Sequence, residues 1–157
     1  MRTALLCLGT AALLTLAAPA GAQTKDIVDT AIAAGSFKTL AKLLTDADLV
    51  TVMKSPGPFT VFAPTDEAFA KVPKATLDAL ANDKAKLQSV LKYHVLTSKW
   101  TTDDIKLVKS TGTANGQSVK FGAVGSTITV NDAKIIKANI DTANGMIHVI
   151  DTVLIPK

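Results

Sequence analysis

The sequence predicts a single α+β domain in which several helices come first and a β-sheet follows. From Lys25 to about Lys92, apolar residues recur at the three- and four-residue spacing of helices. From His94 onward, short β-branched runs alternate with turn residues, which is typical of strands. Once the first 22 residues are set aside, the length is that of one domain.

These first 22 residues differ in composition from the rest of the chain. Arg2 precedes an almost wholly apolar run from Ala4 to Ala18, and Ala20-Gly21-Ala22 offers small side chains to a signal peptidase. We therefore expect residues 1–22 to be a cleaved export signal and residues 23–157 to be one mature domain. A retained membrane anchor is the alternative, but its flank would carry charge where these small residues stand.

Cleavage would remove Arg2 and Cys7, the only arginine and the only cysteine of the chain. The mature domain then has 16 lysines against 13 acidic residues, a net charge of +3. Without cysteine it has no disulfide and no thiolate metal site, and without arginine a nucleic-acid partner is not expected. We expect an exported protein, periplasmic or extracellular, with no transmembrane segment after cleavage.

Four apolar stripes in the first half predict helices, and Asn82 is the predicted N-cap of the last of them. The stripes are Ile27-Ala31-Ile32, Leu40-Leu43-Leu44, Leu77-Leu80-Ala81 and Leu87-Val90-Leu91.

One strand interrupts this helical half. The turn Ser55-Pro56-Gly57-Pro58 cannot be helical, and the β-branched and aromatic run Phe59–Phe62 follows it. Pro64 ends the strand. Thr65 or Asp66 then caps a short helix, with acidic groups at the positive end of its dipole.

The second half predicts a series of short strands. Runs at Val119–Phe121, Thr127–Val130 and Lys134–Ile136 are separated by turn residues. Asn144-Gly145 is a strong two-residue hairpin signal. Residues 146–155 are apolar at both odd and even positions, which predicts a strand inside the sheet rather than at its edge.

Three segments together resemble the signature of fasciclin domains. Residues 59–69, Phe-Thr-Val-Phe-Ala-Pro-Thr-Asp-Glu-Ala-Phe, are similar to the first box of that family. Tyr93-His94-Val95-Leu96 matches its central Tyr-His motif, and residues 144–156 match its second box. The resemblance spans the chain from about Thr24 to Pro156.

The resemblance implies a β-sandwich or wedge of about seven strands with helices packed against it. It also implies an exported, non-enzymatic interaction or adhesion module of the bacterial single-domain type, which binds a cell-surface or matrix protein or a polysaccharide and needs no cofactor. In animal members the Tyr-His region is associated with integrin binding. This makes Tyr93, His94, Val95 and Leu96 the candidate binding residues.

The only histidines, His94 and His148, are the candidates for chemistry. Two histidines without cysteine make a poor zinc site, and neither lies near a serine in a nucleophile motif. Asp151 follows His148 by three positions, so the two side chains should point to opposite faces of a strand. We therefore expect both histidines to be packed in the core with hydrogen-bonded rings, and we expect no metal and no catalysis.

A second function stays open in the helical half. The segment from Phe37 to Met53 is rich in leucine and valine, and its simplest interpretation is a helix face packed on the sheet. The alternative is a hydrophobic groove between helices and sheet that carries an apolar small molecule such as a carotenoid or lipid. Carotenoid binding in some algal fasciclin proteins is a family precedent for it.

Overall fold

A computed structural model describes residues 25–156, so the expected export signal lies outside the described residues. Seven helices and seven strands are found in this range. The helices are α1 (Ile27–Ala34), α2 (Lys38–Asp46), α3 (Val50–Lys54), α4 (Asp66–Ala70), α5 (Lys74–Asn82), α6 (Lys84–Tyr93) and α7 (Thr102–Leu107). The strands are β1 (Phe59–Pro64), β2 (Val95–Leu96), β3 (Ser110–Gly112), β4 (Ser118–Val124), β5 (Thr127–Val130), β6 (Ala133–Thr142) and β7 (Gly145–Ile150).

The strands form one sheet in the order β2-β1-β7-β6-β5-β4-β3. Only the β1–β7 pair is parallel, with Val61 opposite Ile147, and every other neighbouring pair is antiparallel. All six residues of β7 are buried. The prediction of an internal strand is therefore confirmed, although the strand ends at Ile150 and the apolar residues after it belong to a segment without regular structure.

The sheet curls until its two ends meet. In a flat sheet, Phe62 of β1 and Phe121 of β4 would be about 19 Å apart, because four strand spacings separate them. Their ring centroids are 6.1 Å apart. The Ala114 N–H, just beyond β3, also donates a hydrogen bond to the Val95 carbonyl of β2 at 2.8 Å. These contacts close the sheet into the wedge that the sequence predicts.

Curling creates two separate hydrophobic cores. The larger core lies between the helices and strands β1 and β7, and its members include Leu44, Phe69 and Val149. The smaller core lies inside the curl and includes Phe62 and Val130. Strand β7 contributes side chains to both cores, and this explains why its sequence is apolar at every position but one.

Asp83, and not Asn82, caps α6. The Asp83 carboxylate accepts hydrogen bonds from the N–H groups of Ala85 and Lys86 at 3.1 and 3.2 Å, whereas Asn82 is the last residue of α5. The predicted cap was therefore wrong by one position, because the two helices follow one another without a loop. The capping of α4 by Thr65 is confirmed, with its hydroxyl accepting from the Ala68 N–H at 3.2 Å.

The β6–β7 hairpin is present, but its turn residues are Ala143 and Asn144 instead of the predicted Asn144-Gly145. Gly145 is already paired with Phe59 of β1. A Cβ atom on Gly145 would lie 2.0 Å from the Phe59 carbonyl oxygen. Glycine is thus required at this position for close approach of two strands rather than for a turn conformation.

The Asn144 side chain connects this turn to the helical layer. Its Oδ1 accepts a hydrogen bond from the Ile27 N–H at 3.0 Å. Its Nδ2 donates to the carbonyls of Met53 and Ser55 at 2.6 and 3.1 Å. One amide therefore fixes the start of α1 and the end of α3 against the sheet.

No helix within residues 25–156 has the length and apolar character needed to cross a membrane.

Candidate functional site

The four residues of the Tyr-His segment lie at the junction between α6 and β2. Tyr93 is the last residue of α6, His94 is its C-cap, and Val95 and Leu96 are the whole of β2. None of the four is more than 6% exposed. The structure thus brings them together in the sequence-predicted place, but their side chains face the interior of the domain.

The Tyr93 hydroxyl joins the two ends of the curled sheet. It donates a hydrogen bond to the Ser118 carbonyl of β4 at 3.2 Å and accepts one from Asn131 Nδ2 at 3.0 Å. Tyr93 stands next to β2 at one end of the sheet, whereas Ser118 is in β4, beside the strand at the other end, and Asn131 follows β5. A buried tyrosine hydroxyl usually finds such a hydrogen-bond partner.

His94 ties α6 to the C-terminal segment. Its Nδ1 lies 2.8 Å from the Val90 carbonyl, and its Nε2 accepts a hydrogen bond from the Leu154 N–H at 2.9 Å. The Nδ1 atom must therefore carry the proton of a neutral ring. Burial lowers the pKa of His94 from 6.5 to about 4, although the hydrogen bond to Val90 opposes the shift.

Both ring nitrogens of His148, which lies in β7, are also hydrogen-bonded. Its Nδ1 accepts from the Asn139 N–H at 3.2 Å, and its Nε2 donates to the Trp100 carbonyl at 2.7 Å. Its ring stacks on Phe62 with centroids 5.8 Å apart. Burial lowers the pKa of His148, and the bond to the Trp100 carbonyl only partly offsets it. Both rings are packed and hydrogen-bonded, as the sequence predicted.

The nearby carboxylate does not pair with His148. Asp151 follows the end of β7 and accepts a hydrogen bond from the Lys134 N–H at 2.9 Å. Burial alone would raise the pKa of Asp151, but this bond, the Thr152 hydroxyl and two lysines lower it overall. Among residues 25–156, no group of three or more histidine, cysteine or carboxylate side chains is arranged to hold a metal ion.

A small cavity lies beside His94, between α2, α5 and α6. Leucines form most of its wall, together with Phe69, Val90 and Val153. Its volume is about 10 Å³, which is at most the space of one water molecule. The cavity beside His94 is therefore too small to hold an organic ligand.

An open groove of about 600 Å³ lies elsewhere, between α1, α2 and α3, and we call it the helical groove. Helix α1 contributes apolar side chains alone, whereas α2 and α3 contribute apolar side chains together with lysine or threonine. The lining residues are Val28 and Ile32 from α1, Lys38, Ala41, Lys42 and Thr45 from α2, and Val50 and Lys54 from α3. The sequence hypothesis placed a groove between helices and sheet, whereas this one lies among helices.

The three lysines of the helical groove differ in their pairing. Lys54 forms ion pairs with Asp29 at 2.9 Å and Asp26 at 3.5 Å, and the hydrogen bond to Asp29 raises its pKa. Lys38 and Lys42 form no ion pair within the described part of the chain. The helical groove therefore carries two lysines that have no ion pair within the described residues, beside an apolar floor.

One carboxylate stands near Lys38. Asp66 accepts a hydrogen bond from the Thr39 N–H at 2.9 Å. Burial alone would raise the pKa of Asp66, but the bonds from Thr39 and the charge of Lys38 lower it overall. Asp66 therefore serves mainly the backbone at the start of α2, and the Lys38 ammonium is left without a direct partner.

A family model described as "Fasciclin domain" matches residues 35–156. The chain belongs to the fasciclin domain family. This fasciclin domain is 39% identical over 130 residues to an uncharacterized protein of Synechocystis sp., covering 83% of this chain and 97% of that protein.

Two further relatives are longer proteins. The domain is 35% identical over 137 residues to human periostin, covering 87% of this chain and 16% of periostin. It is 37% identical over 109 residues to the immunogenic protein MPB70 of Mycobacterium bovis, covering 69% of this chain and 55% of that protein.

A solved structure shares the fold. A domain pair of the insect cell adhesion molecule Fasciclin I superimposes with a TM-score of 0.64 at 22% identity, covering 78% of this chain and 46% of that one. The predicted fasciclin-type α+β fold is therefore confirmed.

The lysines of the helical groove were missed in the sequence. Lys38, Ala41, Lys42 and Thr45 recur at the i, i+3, i+4, i+7 spacing of one helix face, adjacent to the leucine face of α2. That pattern is the available signal, but a stripe of lysine and small residues usually indicates a solvated face. Only the packing of α1 and α3 on either side turns it into a groove.

Proposed function

We propose that this fasciclin domain is an exported interaction module that binds a cell-surface or matrix protein or a polysaccharide without enzymatic activity. The observation that carries the proposal is the burial of both histidines with both ring nitrogens hydrogen-bonded. Neither histidine is then free to act as an acid, a base or a metal ligand. We therefore assign the function to binding through the shape of the surface. The structural likeness to an insect cell adhesion molecule supports the same class of function.

In this proposal Tyr93, His94, Val95 and Leu96 contribute to binding by holding α6 and β2 in place and not by touching the partner. A partner cannot touch side chains that are at most 6% exposed without displacing their neighbours. The proposed contact surface is instead the helical groove with Ile32 on its wall, because Ile32 is an apolar residue that is 57% exposed.

The proposed location of the protein is the periplasm or the extracellular space, with residues 1–22 acting as the export signal.

Adhesion between two surfaces adds a geometric requirement. One domain with one contact surface cannot bridge two bodies, so bridging needs either a second contact surface or self-association.

The test is retention of the purified protein on envelope or matrix material from its own source. We expect reversible retention at micromolar concentration, and we expect Ile32→Ser to weaken it. The matched control is Leu107→Ser, since Leu107 is 84% exposed and lies outside the helical groove. Absence of retention of the unaltered protein in both low and physiological salt would refute the proposal. Equal losses in the two variants would refute the contact surface.

The helical groove favours a second candidate function, the carrying of an apolar small molecule such as a carotenoid or lipid. A volume of about 600 Å³ lies within the range of small-molecule sites. Protein isolated from its native envelope should then show a mass increment in native mass spectrometry, or visible absorption if the ligand is a pigment. Bare protein that also takes up no pigment or lipid on mixing would contradict this function.

A further inference from the structure

We propose that the helical groove binds a free long-chain carboxylate, with the hydrocarbon chain on the apolar floor and the carboxylate between Lys38 and Lys42. This inference rests on the second candidate function and names its ligand class. It assigns two side chains a role in selecting the head group of the ligand. Three features of the helical groove support it, namely its floor, its charge and its openness.

The floor suits a single hydrocarbon chain. Val28 and Ile32 of α1, Ala41 of α2 and Val50 of α3 supply apolar surface from three sides. Ile32 is 57% exposed, although most isoleucines in folded domains are buried. A chain lying on this floor would remove the apolar surface of Ile32 from water, which is favourable.

The charge suits a carboxylate. Lys38 and Lys42 are four residues apart on one face of α2, so their Cβ atoms are about 6 Å apart. Two ammonium groups on flexible stems at this spacing can reach one carboxylate together, and each N–H···O bond to it is charge-assisted. The stems can lie along the apolar floor while the charged ends stay at the rim.

The neighbouring charges leave this position open for an anion. Lys54, the third lysine of the groove, is already paired with Asp26 and Asp29. Asp66 is engaged by the Thr39 N–H. A neutral polyene or hydrocarbon would cover the floor but would leave the two free ammonium groups without a partner. Charge complementarity therefore selects an amphiphile with an anionic head over a wholly apolar molecule.

Because the groove is open to solvent, it favours a ligand that exchanges freely over a cofactor that is enclosed by the protein. The lining comes from exposed or half-buried lysine, threonine and isoleucine side chains as well as from buried ones. A ligand held in such a groove keeps its head group at the surface, from where it can exchange. We therefore commit to a free fatty acid rather than to the surface of a bilayer.

The experiment compares three probes with the same twelve-carbon chain, each kept below its micelle-forming concentration. These are dodecanoate, dodecan-1-ol and dodecyltrimethylammonium. Binding to the purified protein is measured by calorimetry, and the site is located from amide chemical-shift changes. We expect dodecanoate to bind at α1, α2 and α3 about tenfold more tightly than the alcohol, because one charge-assisted contact contributes about a factor of ten. The cationic probe should bind least.

The variants distinguish contacts to the head group of the ligand from contacts to its hydrocarbon chain. The double variant K38Q/K42Q should bind dodecanoate about tenfold more weakly while binding of dodecan-1-ol stays unchanged. The matched control K74Q/K92Q removes two lysines outside the groove and should leave both affinities unchanged. A third variant, Ile32→Ser, should weaken the binding of both probes. All three variants change exposed residues.

Three outcomes would overturn the inference. Equal affinity for dodecanoate and dodecan-1-ol would show that the groove binds the hydrocarbon chain and does not select the head group. Equal loss in K38Q/K42Q and K74Q/K92Q would show only a general effect of charge. Retention on phosphatidylglycerol vesicles without binding of dodecanoate would assign the surface to a membrane. The retention assay on envelope material tests the first proposed function separately. Failure of that function can therefore be distinguished from failure of this inference.

Discussion

Mild acid should destabilise this domain, because His94 is buried as a neutral ring. Burial lowers its pKa from 6.5 to about 4 in the folded protein. Between these two pH values the unfolded chain binds a proton at this residue and the folded chain does not. The free energy of unfolding must therefore fall as the pH falls from about 6.5 to about 4, and above this window His94 contributes no pH dependence.

The size of the effect follows from the two pKa values. A pH of 5 lies 1.5 units below 6.5, the ordinary pKa of the His94 imidazole in the unfolded chain. Each pH unit below that pKa changes the free energy of unfolding by about 1.4 kcal/mol. The expected loss at pH 5 is therefore about 2 kcal/mol from His94 alone. This is between about one seventh and two fifths of the roughly 5–15 kcal/mol that typically stabilises a domain. His148 acts in the same direction, since burial lowers its pKa too.

Urea unfolding followed by circular dichroism at pH 7.5, 6 and 5 measures this loss. The carboxylates with lowered pKa values, such as Asp83 and Asp104, lose their contribution mainly below their ordinary pKa of 3.8, so the two groups of residues act in separate windows. His94→Gln keeps a donor and an acceptor but cannot titrate, and its pH dependence should be smaller by the share of His94. A His94 ring that titrates near 6.5 in the folded protein, followed by NMR, would refute the reasoning, as would equal unfolding free energies at pH 7.5 and 5.

Three further predictions concern the packing. Gly145→Ala should cost several kcal/mol in urea unfolding, because its Cβ would meet a β1 carbonyl oxygen at 2.0 Å, whereas Gly112→Ala, with open space around it, should cost less than about 1 kcal/mol. Asp83→Ala should cost about 1 kcal/mol by loss of the α6 cap, and Asn82→Ala should be close to neutral; the reverse ranking would contradict the cap assignment. Val149→Asp should abolish cooperative unfolding by placing a charge in the larger core, and an unchanged melting temperature would contradict this.

The sequence predicted the elements whose signal is local. The stripes of α1, α2, α5 and α6 and the strands β1, β4 and β5 appear where their patterns indicate them. The apolar character of β7 at both parities predicted an internal strand, because a strand packed on both faces has no polar side. Its two faces proved to belong to two cores, one on each side of the sheet.

Boundaries were less predictable where two good candidates stand next to each other. Asn82 and Asp83 are both favourable N-cap residues, and the end of α5 decides which of them is free to cap α6. Asn144-Gly145 has the composition of a hairpin turn, but Asn144 is held by Ile27 and Met53, and Gly145 is held close to β1. Long-range contacts set both boundaries, and a local pattern does not contain them.

The helical groove could not be predicted from the sequence because it depends on how three short helices pack. Lys38 and Lys42 look like ordinary surface residues of an amphipathic helix, and Ile32 looks like part of a core stripe. In the structure Ile32 is left exposed on the wall of the groove, next to the two lysines. The packing of α1, α2 and α3 and the pairing of Lys54 with Asp29 bring these separate residues together in one groove.

The three segments that resemble the family have a common structural origin. Strand β1 lies in residues 59–69, β2 in the Tyr-His segment and β7 in residues 144–156. These strands are direct neighbours, since Val61 of β1 pairs with Val95 of β2 and with Ile147 of β7.

The segments that identify the family are thus the ones that pair with one another at the β2 end of the sheet, and their residue types are set by strand pairing and burial. Such a constraint fixes the scaffold but says little about what the scaffold binds. Ligand choice must then depend on surfaces that strand pairing leaves free. In this domain the helical groove is such a surface, and exchange of Lys38 and Lys42 should change its ligand while the wedge stays intact.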